Sequence, residues 1–200
     1  MKRIDCFIPF AGKEQVESTV KGLQETGLVN NIYLLAEPEV KEEVEGCTVI
    51  NVAGLQSTAA IKAMAEKSEA EYTLLYTKFS VLKLGMFALE RMIMLAEDSG
   101  AGMVYADRYQ VKEGKQTNAP VIDYQFGSLR DDFDFGSALL FKTAAMKEAA
   151  GRMKSTYDFA GLYDLRLKLS QKESLMHINE YLYSEVELDT RKSGEKVFDY

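Results

Sequence analysis

The chain has 200 residues, 46% of them hydrophobic and 28% charged, with a formal net charge of -7. This length favours one domain, and this composition supports a packed core rather than a disordered chain. The acidic balance argues against a general nucleic-acid binder and leaves room for a local basic site for a nucleotide diphosphate. Cys6 and Cys47 stand in apolar, strand-like contexts and are expected to be reduced and buried. With the lone His177 they fall short of a metal-ligand set. The start Met1-Lys2-Arg3-Ile4-Asp5 lacks a long apolar segment after its charges, so no signal peptide is expected. No apolar run approaches the roughly 20 residues of a membrane span. A cytoplasmic protein without a transmembrane segment is the expectation, with peripheral membrane contact left open.

Residues 4–10 are apolar except for Asp5 and read as a first strand that ends at Pro9, which cannot donate to a ladder. Gly12 turns the chain into a helix with Val16, Val20 and Leu23 at helical spacing, stopped at Gly27. Residues 31–36 read as a second strand, 38–45 as a short acidic helix and 48–52 as a third strand. A helix over 57–68 shows the small-residue face Ala60, Ala63 and Met64. Then comes Glu71-Tyr72-Thr73-Leu74-Leu75-Tyr76-Thr77-Lys78-Phe79. Its uncharged run 72–76 reads as a strand buried on both faces of a parallel sheet. A helix over 85–96 follows.

Strand and helix alternating at this rhythm imply right-handed crossovers and a Rossmann-type nucleotide-binding half to about residue 98. Ligands of such sheets collect beyond the carboxyl ends of the strands, so Thr77, Lys78 and Phe79 stand where function is expected. Phe10-Ala11-Gly12-Lys13-Glu14 is neither a GxGxxG fingerprint nor a Walker loop.

After Gly100 the rhythm changes. A strand over 103–111, a turn at 112–115 and a return over 116–122 read as a hairpin. Residues 123–134 are polar and aromatic without periodicity. A strand over 137–141, helices over 143–150 and 158–170, and a strand over 174–186 complete the pattern. Residues 189–200 carry no core signal, and their aromatic end suggests a chain that continues.

This order of elements, from Ile4 to about Val186, resembles a family 2 glycosyltransferase with a GT-A fold. Ile8-Pro9-Phe10 is similar to the family's first strand, and Ile32-Tyr33-Leu34-Leu35-Ala36-Glu37 to its second, with Glu37 keeping the carboxylate near the base or ribose. Gly136-Ser137-Ala138-Leu139-Leu140-Phe141-Lys142 is the closest local match, to the strand after the acceptor loop. Tyr163-Asp164-Leu165-Arg166-Leu167-Lys168-Leu169 resembles the helix that carries the catalytic base and a following basic residue. The resemblance implies a single α/β domain over 1–188. Its sheet is mainly parallel, flanked by helices, with a smaller antiparallel portion. Residues 1–98 form the nucleotide half, 99–188 the acceptor half and 189–200 a tail.

The chain departs from that family in three places. The Asp-x-Asp position, which holds a divalent ion on the diphosphate, reads Thr77-Lys78-Phe79. Lys78 there is either a point charge on phosphate in place of the ion or a solvated loop lysine. The family's Glu-Asp pair aligns with Gly161-Leu162, which leaves Asp164 downstream of it. The family's late histidine has no counterpart, since His177 comes too early in its strand.

The resemblance thus implies Asp164 or Asp158 as catalytic base. Each has a plainer reading: Asp164 pairs with Lys168 four residues on, and Asp158 caps a helix. Pro9, Glu37, Lys78, Asp107 and Arg166 are the donor-binding candidates, expected with Asp164 around one cleft. Arg166 falls beside the Leu162, Leu165, Leu169 stripe and is expected to be partly buried on a carboxylate. Asp107 is either a substitute metal ligand or the start of a turn. No visible motif requires a cofactor, and Mn²⁺ or Mg²⁺ enters only if Asp107 joins nearby carboxylates such as Asp131-Asp132.

The implied activity is inverting transfer of a sugar from a nucleotide sugar to a glycan or other acceptor. The alternative is a non-catalytic binding module of the same fold within a longer protein. A sugar-phosphate nucleotidylyltransferase ranks third, because its Gly-rich phosphate loop is too thin in Phe10-Ala11-Gly12-Lys13.

Overall fold

The computed structural model describes residues 2–10, 12–130 and 132–187. Nine strands form one sheet. In chain order the elements are β1 (Ile4–Pro9), α1 (Lys13–Glu25), β2 (Val29–Ala36), β3 (Thr48–Asn51), α2 (Thr58–Lys67), β4 (Tyr72–Tyr76) and β5 (Val81–Leu84). They continue with α3 (Ala88–Ser99), β6 (Met103–Lys112), β7 (Lys115–Ala119), β8 (Ala138–Lys142), α4 (Thr143–Gly151), α5 (Gly161–Ser170) and β9 (Leu175–Val186).

The sheet order is β3-β2-β1-β4-β8-β6-β9-β5, and β7 pairs with the outer half of β6. The β3-β2-β1-β4 half is wholly parallel, as the strand–helix alternation requires. β8 turns antiparallel to both β4 and β6, and β6 then runs parallel to β9. β4 is buried at every position, in keeping with its uncharged sequence.

The pleat sorts alternate residues to two cores. One face carries Ile4, Cys6, Ile8, Leu74 and Tyr76 against α1 and α3. The other carries Phe7, Leu75, Tyr105, Leu139 and Phe141 against α2, α4 and α5. Asp5, the charge that breaks the apolar run of β1, is fully buried. Its carboxylate accepts from both Asn30 and Asn31 side-chain amides and from the backbone N–H groups of Asn31, Glu69 and Ala70. It ties two strands and a loop together at the edge opposite the strands' carboxyl ends.

Three sequence expectations need correction. Residues 38–45 form turns and irregular backbone rather than a helix, with Val44 the buried residue there. Glu39, Glu42 and Glu43 sit at helical neighbour spacing and would repel one another. Residues 81–84, unassigned in the sequence reading, form β5. Gly85 belongs with that strand, because its N–H bonds Leu182 and a Cβ there would lie 2.8 Å from the Leu182 carbonyl oxygen. The next helix therefore starts at Ala88, behind Phe87 at φ 57. Finally, Asp158 does not cap α5: Ala160 holds the cap position, without a side-chain bond.

The 189–200 tail lies outside the described residues. No helix among the described residues is long and apolar enough to cross a membrane.

Candidate functional site

The carboxyl ends of β1, β2 and β4 lie side by side, since these strands are parallel neighbours. A cavity of about 60 Å³ opens there, lined by Pro9, Leu35 and Tyr76 at the strand ends, Thr77 and Phe79 after β4, and Gln56 and Leu162. That volume holds a few waters, not a nucleoside, so a larger ligand has to lie across its mouth or displace Phe79. Phe79 is 59% exposed.

The turn after β4 is held from below. Thr77 donates its N–H to the Ser137 carbonyl at 2.9 Å, and Tyr76 and Ser80 hydroxyls bond at 2.6 Å. Gln15 of α1 donates to the Ser80 carbonyl. Burial pushes the Tyr76 phenol well above its usual range, so it stays neutral as part of this scaffold. Lys78 projects outward from the turn, exposed, with no carboxylate of the described residues paired to it.

A buried polar cluster supports the same edge. Arg108 lies between Glu185, with Nε and Oε1 2.7 Å apart, and Asp134 at 3.0 Å. Burial works against the Arg108 charge, but Glu185 and Asp134 outweigh it and raise its pKa. The Arg108–Glu185 contact is close without an aligned N–H, so it is an ion pair rather than a directed hydrogen bond. The Tyr183 hydroxyl receives the N–H groups of Ser137 and Ala138. Gly136 makes room for it: a Cβ there would lie 2.6 Å from that hydroxyl.

The residues singled out in the sequence divide between this edge and elsewhere. Pro9 lines the cavity. Glu37 and Lys78 follow β2 and β4 on the same edge, both exposed. Asp158 is exposed on the loop before α5, with its backbone close against Gly54.

Asp164 is buried and bound to Lys168 at 3.2 Å, which is the plainer of its two readings. Arg166 is half-buried, and burial lowers its pKa. The group it meets is the Phe135 ring, 5.1 Å from its guanidinium carbon, rather than a bonded carboxylate.

Asp107 does not begin a turn. It lies inside β6, at a register irregularity against β9. Its Oδ1 accepts from the Val121 N–H at 2.8 Å and meets His177 Nε2 at 2.9 Å. Asp131 lies outside the described residues. Among the described residues no three His, Cys, Asp or Glu side chains converge on a metal position. The turn after β4 offers an ammonium where a hard cation wants carboxylate oxygens, so its residues do not fit a divalent ion.

Gly161, where the resemblance puts the first residue of the Glu-Asp pair, has no room for a side chain. A Cβ there would lie 2.4 Å from the Ser57 carbonyl carbon and the Thr58 nitrogen.

A larger cavity, about 670 Å³, lies beside the amino end of β3 between Lys13 and Glu17 of α1 and Glu43, Glu45, Cys47 and Thr48. Three glutamates to one lysine are the wrong sign for a diphosphate, and the position is off the carboxyl edge. We therefore place the candidate site at the smaller cavity.

The sequence reading missed the partners of Asp107 and the whole Arg108, Glu185 and Tyr183 cluster. The adjacent charges Asp107 and Arg108 after the apolar run 103–106 were the available signal for the latter.

No known family model and no curated protein matches the chain. Among solved structures, the crystal structure of S. aureus TarS 1-349 is similar with a TM-score of 0.64 and 9% identity, covering 92% of this chain and 60% of that one. The same TarS fragment in complex with UDP-GlcNAc gives a TM-score of 0.64 and 10% identity, covering 98% and 62%. The chain thus spans about three fifths of the length of those solved chains. Such a likeness carries the fold and does not single out family 2: the chain has the mixed α/β architecture of a GT-A-like glycosyltransferase fold.

Proposed function

We propose that this chain is a glycosyltransferase-like domain that binds a nucleotide sugar at the carboxyl edge of β1 and β4, without a divalent ion. Its fold is similar to that of TarS, a glycosyltransferase solved with UDP-GlcNAc, over more than nine tenths of this chain. The observation that carries the reading is the turn after β4, where exposed Lys78 stands between two residues that line the cavity. Two unit charges about 4 Å apart interact by about 1 kcal/mol in water and several times more in a cleft. An ammonium there attracts a diphosphate and repels a divalent cation.

In transfer, a carboxylate removes the acceptor hydroxyl's proton and that oxygen attacks the anomeric carbon as the nucleotide diphosphate departs. Asp158 is the better placed base of the two candidates, because it is exposed while Asp164 is committed to Lys168. A glycan is the acceptor class this reading implies.

Thermal unfolding with UDP-GlcNAc and other nucleotide sugars, in excess chelator and in Mn²⁺, tests the binding. The midpoint is expected to rise equally in both, less at high salt, and less in Lys78→Ala, whose unliganded midpoint stays at the wild-type value. A shift seen only with Mn²⁺, or unchanged in Lys78→Ala, counts against the proposal.

Gly161 favours a second reading, a non-catalytic binding module of the same fold, because the space for a base at the head of α5 is taken by residues 57 and 58. Binding without product release from any nucleotide sugar offered, acceptor present, selects it.

A further inference from the structure

Residues 120–126 cross the sheet face over β6 and β9 as a strap without regular structure. Four side-chain contacts fasten it. Asp107 accepts the Val121 N–H. The Tyr105 hydroxyl donates to the Ile122 carbonyl at 2.9 Å and accepts from the Tyr124 N–H at 2.7 Å. His177 stands between sheet and strap, with Nε2 2.9 Å from Asp107 Oδ1 and Nδ1 2.7 Å from Asp123 Oδ1. Its ring stacks on Tyr105 with centroids 5.1 Å apart and planes at 13°. The His177 and Asp107 side chains are 5% and 1% exposed, whereas that of Asp123 is 84% exposed.

Both atoms that face the imidazole are carboxylate oxygens. An ionised carboxylate only accepts, and a neutral imidazole has a single N–H. A neutral ring therefore fills one of these contacts and turns a lone pair toward the other oxygen. Only the ring with hydrogens on both nitrogens donates to both.

We propose that the strap is latched by a proton: His177 joins Asp107 of the sheet to Asp123 of the strap while both ring nitrogens carry hydrogens, and the strap loosens when one leaves. Among the described residues, the ionisable groups that meet the ring are Asp107 and Tyr105 from β6 and Asp123 from the strap. Its neighbours on β9, Met176 and Ile178, do not ionise. On deprotonation, water takes over exposed Asp123, and buried Asp107 keeps the remaining N–H. The strap continues through Phe133, Phe135 and Asp134 to Ser137, which carries Thr77 of the candidate site.

The chain has one histidine, so its ring signals in nuclear magnetic resonance need no assignment. The experiment follows those signals together with amide hydrogen exchange, expressed as protection factors, between about pH 5.5 and about pH 8.5. In the intact chain, protection of the Val121 and Tyr124 amides is expected to fall about tenfold as the ring loses its proton, while β1 and β4 amides hold. In Asp123→Asn the side-chain amide can donate to a neutral ring, so the same two amides are expected to stay protected at every pH. Position 123 is exposed, so this change leaves the fold intact. Constant protection in the wild type while the ring titrates overturns the proposal, and so does an undiminished pH dependence in Asp123→Asn.

Discussion

Asp5 is buried among apolar neighbours and accepts five hydrogen bonds, three of them from backbone N–H groups. Replacing it by alanine strands those donors, each at a cost of about 1–3 kcal/mol when left dry. Asp5→Ala is therefore expected to lower the free energy of unfolding by about 3 kcal/mol or more, read from urea denaturation. A loss well under about 1 kcal/mol would show that water reaches these donors. The sequence marks Asp5 only as an exception in an apolar run, since its donors come from Asn30, Asn31, Glu69 and Ala70, far along the chain.

Tyr105 adds a pH dependence of known sign. Burial raises its phenol from 10.0 to about 12, so the folded state holds a proton that the unfolded chain releases first. The stability this contributes is full below about pH 10 and is lost as the pH rises towards about 12. Tyr105→Phe should flatten the alkaline fall of the melting midpoint while lowering it at neutral pH through loss of the Ile122 and Tyr124 bonds. Parallel alkaline limbs in the two proteins would contradict this.

At the scale of elements, hydrophobic spacing made most of the fold legible. Val16, Val20 and Leu23 are buried on α1 as their spacing implies, and the uncharged run 72–76 is the central strand β4. Legibility failed where local pattern and partner disagree. β5 is four residues long, too short for a period, and exists because β9 offers it an edge. Pro9, Glu37 and Lys78 share one edge because they end or follow the parallel neighbours β1, β2 and β4. Asp107 was drawn to that edge as the end of a strand and Asp164 by resemblance, and their side chains meet His177 and Lys168.

The start of α5 shows why a glycine can be compulsory. Its N–H bonds the Gln56 carbonyl, and the backbone of residues 57 and 58 fills the space where a side chain would go. Backbone cannot swing aside as a flexible side chain can. Gly161→Ala is expected to cost about 2–3 kcal/mol, visible as a lower urea midpoint with the slope unchanged. On the same contact, Ser57 caps α2 by accepting the Ala60 N–H at 3.1 Å. Its removal in Ser57→Ala should cost about 1 kcal/mol.

For the whole molecule, the decisive fact is that one sheet runs through both halves of the chain. β4 takes β1 on one side and β8 on the other, and β5 pairs with β9. A fragment of residues 1–98 would keep four parallel strands but expose the full length of β4, with its apolar faces and open ladder. Such a fragment is expected to lack cooperative thermal unfolding, as followed by circular dichroism. Sharp melting would mean that the first half is a folding unit by itself.

β9 enters between β6 and β5, although roughly 90 residues separate it from β5 along the chain and contacts that distant form slowly. A ribosome makes the chain from the amino end, at about 5–20 residues per second, so β5 waits several seconds or more for its mate. During that wait its unpaired backbone and the apolar flank of β6 are open to any passing strand. Faster elongation, or a chaperone that shields the waiting edge, should therefore raise the yield of soluble protein more than any stabilising change within the finished first half.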